Sequence, residues 1–228
     1  MSPPGAGLRL LDIGGANSLY PLMMTEWGSV TVIEPDEDAI DVARAVLRAD
    51  IRKGSLPDDL DVDGPFDVIT MLDVLEHVAD DGRALEAVRA LLAPDGRAII
   101  TVPALPVLYS DHDRVLHHFR RYTGRTLRVA VETADLRLER MSYWTSLLLP
   151  LVAVQRTASR IRSALVPGRK LEYSVKTPRK GLNTLLGGVM SVERRLLRNV
   201  RMPVGSSLFA VVRRARPGNS GSEPPPAP

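Results

Sequence analysis

Two rhythms of apolar and polar positions take turns along this chain. Short apolar-rich runs, Leu8-Arg9-Leu10-Leu11, Val30-Thr31-Val32-Ile33, Phe66-Asp67-Val68-Ile69-Thr70-Met71 and Ala98-Ile99-Ile100-Thr101-Val102, alternate with stretches of helical spacing. Runs of that length beside Gly and Pro read as strands buried on both faces. The pattern predicts strands over 8–13, 30–34, 66–71 and 98–102, and a weak one in the polar stretch 50–64. Helices are predicted over 18–27, from Pro35-Asp36-Glu37-Asp38 onward, and over 84–92. The second of these carries acidic residues at its positive end and one apolar face of Ile40, Ala43, Val46 and Leu47. Pro94-Asp95-Gly96 reads as the stop and turn after the third helix. Strands alternating with helices imply an α/β fold: a Rossmann-like, mostly parallel sheet covered on both faces.

Beyond residue 103 the alternation loosens. Residues 103–124 read as a loop rich in His, Asp, Arg and Tyr, followed by a helix over 126–134 and a strand over 137–141. Residues 143–202 read as a basic helical insertion, and Ser207-Leu208-Phe209-Ala210-Val211-Val212 as a last strand. The core is therefore expected in 1–142 and 203–216. The tail 217–228, made of Pro, Gly and Ser with little else, is expected to be disordered.

The first strand ends in Asp12 and turns through Gly14 and Gly15. Glycines let backbone N–H groups approach a ligand, and the helix start behind them favours anionic or electron-rich groups. Glu34, about twenty positions on and at the tip of the second strand, is placed to accept from ribose hydroxyls. Together they describe a nucleoside-cofactor site. The Gly-x-Gly-x-x-Gly spacing of nicotinamide binders does not fit, because the two glycines are adjacent and Ala16 and Ser18 fill the later small positions.

With Phe66-Asp67-Val68-Ile69 and Asp73-Val74-Leu75-Glu76-His77-Val78 downstream, the stretch from Leu8 to Ser18 resembles the class I S-adenosylmethionine-dependent methyltransferases of small-molecule, lipid and glycan pathways. The resemblance implies a seven-stranded sheet whose last strand is antiparallel, and S-adenosylmethionine as cofactor. It places Asp12 at the methionine amino group, Gly14 and Gly15 along methionine and ribose, Glu34 on the ribose hydroxyls and Asp73 near the methionine end. Ala16 fits the turn provided its φ is not positive. Family members also carry a helix before the first strand. Here seven residues precede Leu8, so either the chain starts late or the insertion does the covering.

The resemblance continues in Asp111-His112-Asp113 and His117-His118-Phe119-Arg120-Arg121-Tyr122-Thr123, beyond the carboxyl end of the fifth strand, where ligand crevices of open sheets lie. It makes His117 or His118 the candidate base, and Arg120, Arg121 and Tyr122 the candidate acceptor-binding residues. A Glu76-His77 pair after Asp73 has two readings: Glu at a helix start with a packed His, or part of a divalent-metal site. The first is preferred, and no metal is expected. The implied function is methyl transfer to an acceptor hydroxyl that is lipid-linked, glycan-related or quinone-like. The alternatives are an inactive cofactor-binding module or a membrane-associated scaffold of the same fold.

Composition sharpens this picture at three points. The 228 residues contain no Cys, and Met1–Gly5 lacks the basic and apolar regions of a signal peptide, which together fit a reducing cytoplasm. Residues 1–113 hold 8 basic and 21 acidic side chains, while 114–228 hold 22 and 6. Such segregation points the second half at something anionic. Within the insertion, Leu147, Leu151, Val154, Ala158, Ile161 and Leu165 form one helical stripe, with Arg156, Arg160 and Arg162 outside it and Tyr143 and Trp144 at its start. Apolar, basic and aromatic elements together suit peripheral attachment to the inner face of an anionic membrane; the rival reading is a cap on the sheet edge or on a second subunit. Nucleic acid is not expected, because the basic region lacks interleaved aromatics. Oligomeric state is left open.

Overall fold

The structure is a computed structural model, and it describes residues 7–165 and 180–215. The tail 217–228 and the middle of the insertion lie outside the described residues. The chain runs β1 (Leu8–Ile13), α1 (Tyr20–Met24), β2 (Gly28–Glu34), α2 (Glu37–Val46), β3 (Asp50–Lys53), β4 (Phe66–Leu72), α3 (Asp81–Leu91) and β5 (Leu92–Pro103). There follow α4 (Asp111–Val115), α5 (Gly124–Thr133), β6 (Leu136–Trp144), α6 (Leu149–Leu165), α7 (Lys180–Leu196) and β7 (Ser207–Arg214). The strands form one seven-stranded sheet of order β3-β2-β1-β4-β5-β7-β6. β7 is antiparallel to β5 and β6, and the other pairings are parallel. This is the expected Rossmann-like sheet, with its order reversing between β1 and β4.

Period-two alternation sorts the core. Leu10, Val30 and Val32 pack on one face with Ile40 and Ala43 of α2. Leu11, Ile13 and Ile69 pack on the other with Leu85 and Val88 of α3. Because both faces are covered, neighbouring residues of one strand belong to different cores. Of the four positions expected on the buried face of α2, Ile40, Ala43 and Leu47 are buried and Val46 is exposed. At 3.6 residues per turn Val46 lies about 120° around the helix from Ile40, off the buried face, whereas Ala43 and Leu47 lie within about 60° of it.

Four local expectations are revised. α1 covers five residues rather than ten, because Trp27 closes a turn onto Met24 and Gly28 already pairs with Leu8. A Cβ at Gly28 would run into the Leu8 backbone, so this close approach needs the glycine. α3 begins three residues early, where the Asp80 carboxylate accepts from the Arg83 N–H at 3.0 Å. Pro94-Asp95-Gly96 lies inside β5 instead of between helix and strand. β5 pairs Leu92 with Phe66 and Arg97 with Val68, so the turn residues bulge out of the ladder. β6 continues to Trp144, because Tyr143 and Trp144 pair with Leu208 and Ser207 of β7. The two aromatics expected to open the insertion are thus strand residues.

Candidate functional site

The cofactor half is built at the tips of β1 and β2. Gly14 has φ +75, and a Cβ there would stand 2.7 Å from Val74 Cγ2, so both backbone and space demand glycine. A Cβ at Gly15 would overlap the Asp12 carboxylate. Ala16 is not among the positive-φ residues, which is the condition its side chain required. Asp12 is 1% exposed. Its Oδ1 accepts from the Thr70 hydroxyl, and its Oδ2 has no partner among the described residues. Burial raises its carboxyl to about 6, against the lowering effect of Thr70, with the nearby Glu34 charge adding to the rise. Glu34 is also buried, and its two oxygens accept from the Ala16 and Asp36 N–H groups at 3.3 Å each. One long hydrogen bond per oxygen leaves lone pairs for further donors. At the tip of β4, Asp73 adopts φ +55, and its carboxylate accepts from the Thr101 hydroxyl at 3.1 Å.

The candidate acceptor half is built from the segment after β5. Its organising group is Asp113, fully buried on α4. Asp113 Oδ1 accepts from Arg121 Nε at 2.7 Å and lies 3.1 Å from His118 Nδ1, while Oδ2 accepts from the Ser110 N–H at 2.9 Å. Burial pushes this carboxyl up, but the bonds from His118 and Arg121, the Arg121 charge and the Ser110 N–H outweigh it and hold it well below the usual range. Arg121 is itself buried and donates its other end to the Ala104 carbonyl at 2.9 Å. Arg120 pairs with Asp81 at 2.8 Å and donates to the Ala79 carbonyl. Tyr122 is buried, and its hydroxyl donates to Asp81 at 2.8 Å. His117 is exposed at φ +58, with no side-chain hydrogen bond among the described residues.

Between the halves sits Glu76. It occupies a three-residue 3-10 turn, Leu75–His77, ahead of α3. Glu76-His77 thus stands in the first turn of this short 3-10 helix and ahead of α3, which starts at Asp81, and Glu76 is fully buried. Neither carboxylate oxygen has a hydrogen-bond partner among the described residues. Burial, reinforced by the charge of Asp73, raises this carboxyl to about 8. His118 Nε2 lies 4.0 Å from Glu76 Oε1, and the His77 and His118 rings meet edge-on at 4.6 Å. One ligand atom each from Glu76, His77 and His118 falls within a 4.8 Å cluster, a donor set that suits a divalent cation.

Comparison with known proteins decides what this arrangement belongs to. The family description "Methyltransferase domain" matches residues 1–141. The chain belongs to the methyltransferase domain family. It is 40% identical over 97 residues to a ubiquinone biosynthesis O-methyltransferase of Nitrobacter winogradskyi, covering 40% of this chain and 37% of the relative. With the corresponding protein of Azorhizobium caulinodans it shares 35% over 133 residues, 54% and 53% of the two chains. The matched part thus spans about two fifths to half the length of these relatives. An S-adenosylmethionine-dependent methyltransferase of Mesorhizobium loti shares the fold at TM-score 0.60 and 15% identity, over 93% of this chain and 94% of that one. A TehB-like methyltransferase of Corynebacterium glutamicum does so at TM-score 0.56 and 19% identity, over 94% and 83%.

The residues at the strand tips fit S-adenosylmethionine, the cofactor of the family. The orphaned, buried Asp12 Oδ2 suits the ammonium group of the methionine moiety, and Glu34 has acceptor capacity for ribose hydroxyls. Asp113 is the candidate functional residue that sequence reasoning left without a role. The available signal was Ser110-x-x-Asp113, the spacing of a capping box, which would have placed a helix start inside the loop. Its partners Arg121 and His118 are set by the fold and carry no comparable signal.

Proposed function

We propose that this chain is an S-adenosylmethionine-dependent methyltransferase acting on a hydroxyl of a small lipid-linked, glycan-related or quinone-like acceptor, with His118 as the base. The observation that carries the base assignment is the Asp113–His118 pair. An N–H at Nδ1 donating to a buried carboxylate leaves Nε2 as the accepting nitrogen, and the negative charge of Asp113 stabilises the imidazolium that forms. S-adenosylmethionine supplies a methyl group already activated on a sulfonium, so the chain's part is alignment and removal of one proton. Asp12, Gly14, Gly15, Glu34 and Asp73 are the cofactor contacts. Arg121 and Tyr122 act as positioning residues through Asp113 and Asp81. Arg120, part-exposed beyond its ion pair, remains the contact for an acceptor phosphate. The relatives named as ubiquinone biosynthesis O-methyltransferases support the hydroxyl class.

The test compares His118→Ala with His117→Ala, using a catechol as probe acceptor and calorimetry with S-adenosylmethionine. His118→Ala should lose about 10²–10⁴-fold in turnover at unchanged cofactor affinity, and His117→Ala should keep its turnover. Full activity of His118→Ala overturns the assignment. A second reading is favoured by the partnerless Glu76 oxygens: a divalent cation held by Glu76, His77 and His118, with His118 as ligand instead of base. Inhibition by EDTA, reversed by Mg²⁺ or Mn²⁺ and absent in Glu76→Gln, would select it.

A further inference from the structure

Helix α6 turns its polar side inward. Arg156 reaches the Ser110 hydroxyl at 3.3 Å, Arg160 Nε donates to the Tyr109 carbonyl at 2.7 Å, and the Ser163 hydroxyl donates to Asp111. Its apolar stripe faces the opposite way: Leu151 is 54% exposed, Val154 68%, Ile161 55% and Leu165 75%. A helix on a protein in water buries such a stripe, so this one marks a contact surface. At 17 residues and with no window apolar enough, α6 cannot cross a bilayer.

Charge selects the occupant. Arg156 and Arg160 are spent on the body, but Arg162 lies beside the stripe, exposed and with no carboxylate partner among the described residues. Residues 156–201 hold 12 basic and 2 acidic side chains. A second copy of the chain would bring like charges together across a two-fold contact. An anionic bilayer accepts both parts, with the stripe at the acyl boundary and the cations at the headgroups. We infer that α6 docks by its Leu151-to-Leu165 stripe on an anionic lipid surface. Because its inward bonds hold the segment carrying Asp111, Asp113 and His118, docking sets the acceptor side of the site against the membrane. That consequence rests on the acceptor reading above; the docking itself does not.

The experiment is flotation of the full chain with vesicles of phosphatidylcholine alone or mixed equally with phosphatidylglycerol, at low and high salt. The wild type should float with the anionic vesicles at low salt and keep a smaller bound fraction at high salt. Leu151→Ser, Val154→Ser and Ile161→Ser together should abolish flotation at both salts, and Arg162→Gln should weaken it about fivefold at low salt only. Unchanged cofactor affinity in calorimetry shows that the triple variant is folded. A wild type that stays unbound with anionic vesicles at low salt overturns the inference, as does a triple variant that floats equally well. A dimer by light scattering that the triple variant dissociates, with no flotation by either protein, reassigns the stripe to a subunit contact. None of these assays uses an acceptor, so their failure leaves the methyl-transfer reading standing.

Discussion

The candidate cofactor half and the candidate acceptor half of the site are made in opposite ways. The first is a backbone device: Gly14 holds φ +75 under Val74, Gly15 gives way to the Asp12 carboxylate, and Glu34 ties the Ala16 and Asp36 amides together. The second is a side-chain device. Asp113 gathers Arg121, His118 and Ser110, while Asp81 gathers Arg120 and Tyr122. A backbone device tolerates little change in shape but carries carboxylates that are still open to a ligand. A side-chain device is already internally satisfied, so removing one member strands the others.

The sharpest break of this comparison is Gly14→Val. The positive φ and the Val74 contact leave no room for the new side chain, so calorimetry should show no S-adenosylmethionine binding. Measurable binding would move the cofactor away from this turn. On the other side, Asp113→Ala leaves the Arg121 guanidinium buried and unpaired, and denaturant unfolding should show a loss of about 3–5 kcal/mol. A loss below 1 kcal/mol would mean that the cluster is not the organising element of the acceptor half.

Glu34→Ala should weaken cofactor binding by roughly 1–3 kcal/mol, since it removes acceptors for ligand hydroxyls. It should cost less in global stability than Asp113→Ala, because it strands no buried cation. Asp12 carries its charge only above about pH 6, so affinity for the cofactor should climb between pH 5 and 7, and Asp12→Asn should flatten that profile.

Glu76, between the halves, gives the comparison a pH readout. An unfolded Glu loses its proton near 4.5, whereas in the fold burial, then the charge of Asp73, hold the proton until about pH 8. Between those values the unfolded state binds fewer protons than the folded one, so stability is fully present below about 4.5 and falls as pH rises toward 8. Glu76→Gln stays neutral throughout, and its Tm should fall less than that of wild type between pH 5 and pH 8. Equal slopes for the two proteins would place Glu76 outside the pH response.

The comparison also separates what could be read in the sequence from what could not. The cofactor half was legible because each of its parts is local: an apolar run ending in an acid, adjacent glycines, a second acid at the next strand tip. Parallel pairing of Asp12 with Val32 and Ile13 with Ile33 then brings the two acids together with no further information. The acceptor half yielded its residues but not their partners. Arg120, Arg121 and Tyr122 looked like ligand contacts and are held by Asp81 and Asp113, because hydrogen bonding among buried polar groups depends on which segments meet.

The sequence by itself determined the class of fold, the order of its main strands and helices, the glycine turn after β1 and the apolar stripe of α6. Period two and period 3.6 are properties of a single segment, and glycine requirements are properties of a single turn. Tertiary structure decided which way the stripe faces, that Pro94-Asp95-Gly96 bulges from a strand, that Tyr143 and Trp144 belong to β6, and that Glu76 is sealed without a partner. The physical reason is common to all four. A segment's own pattern says what it would rather bury, but whether it is buried, and against what, is set by long-range pairing that places distant segments side by side.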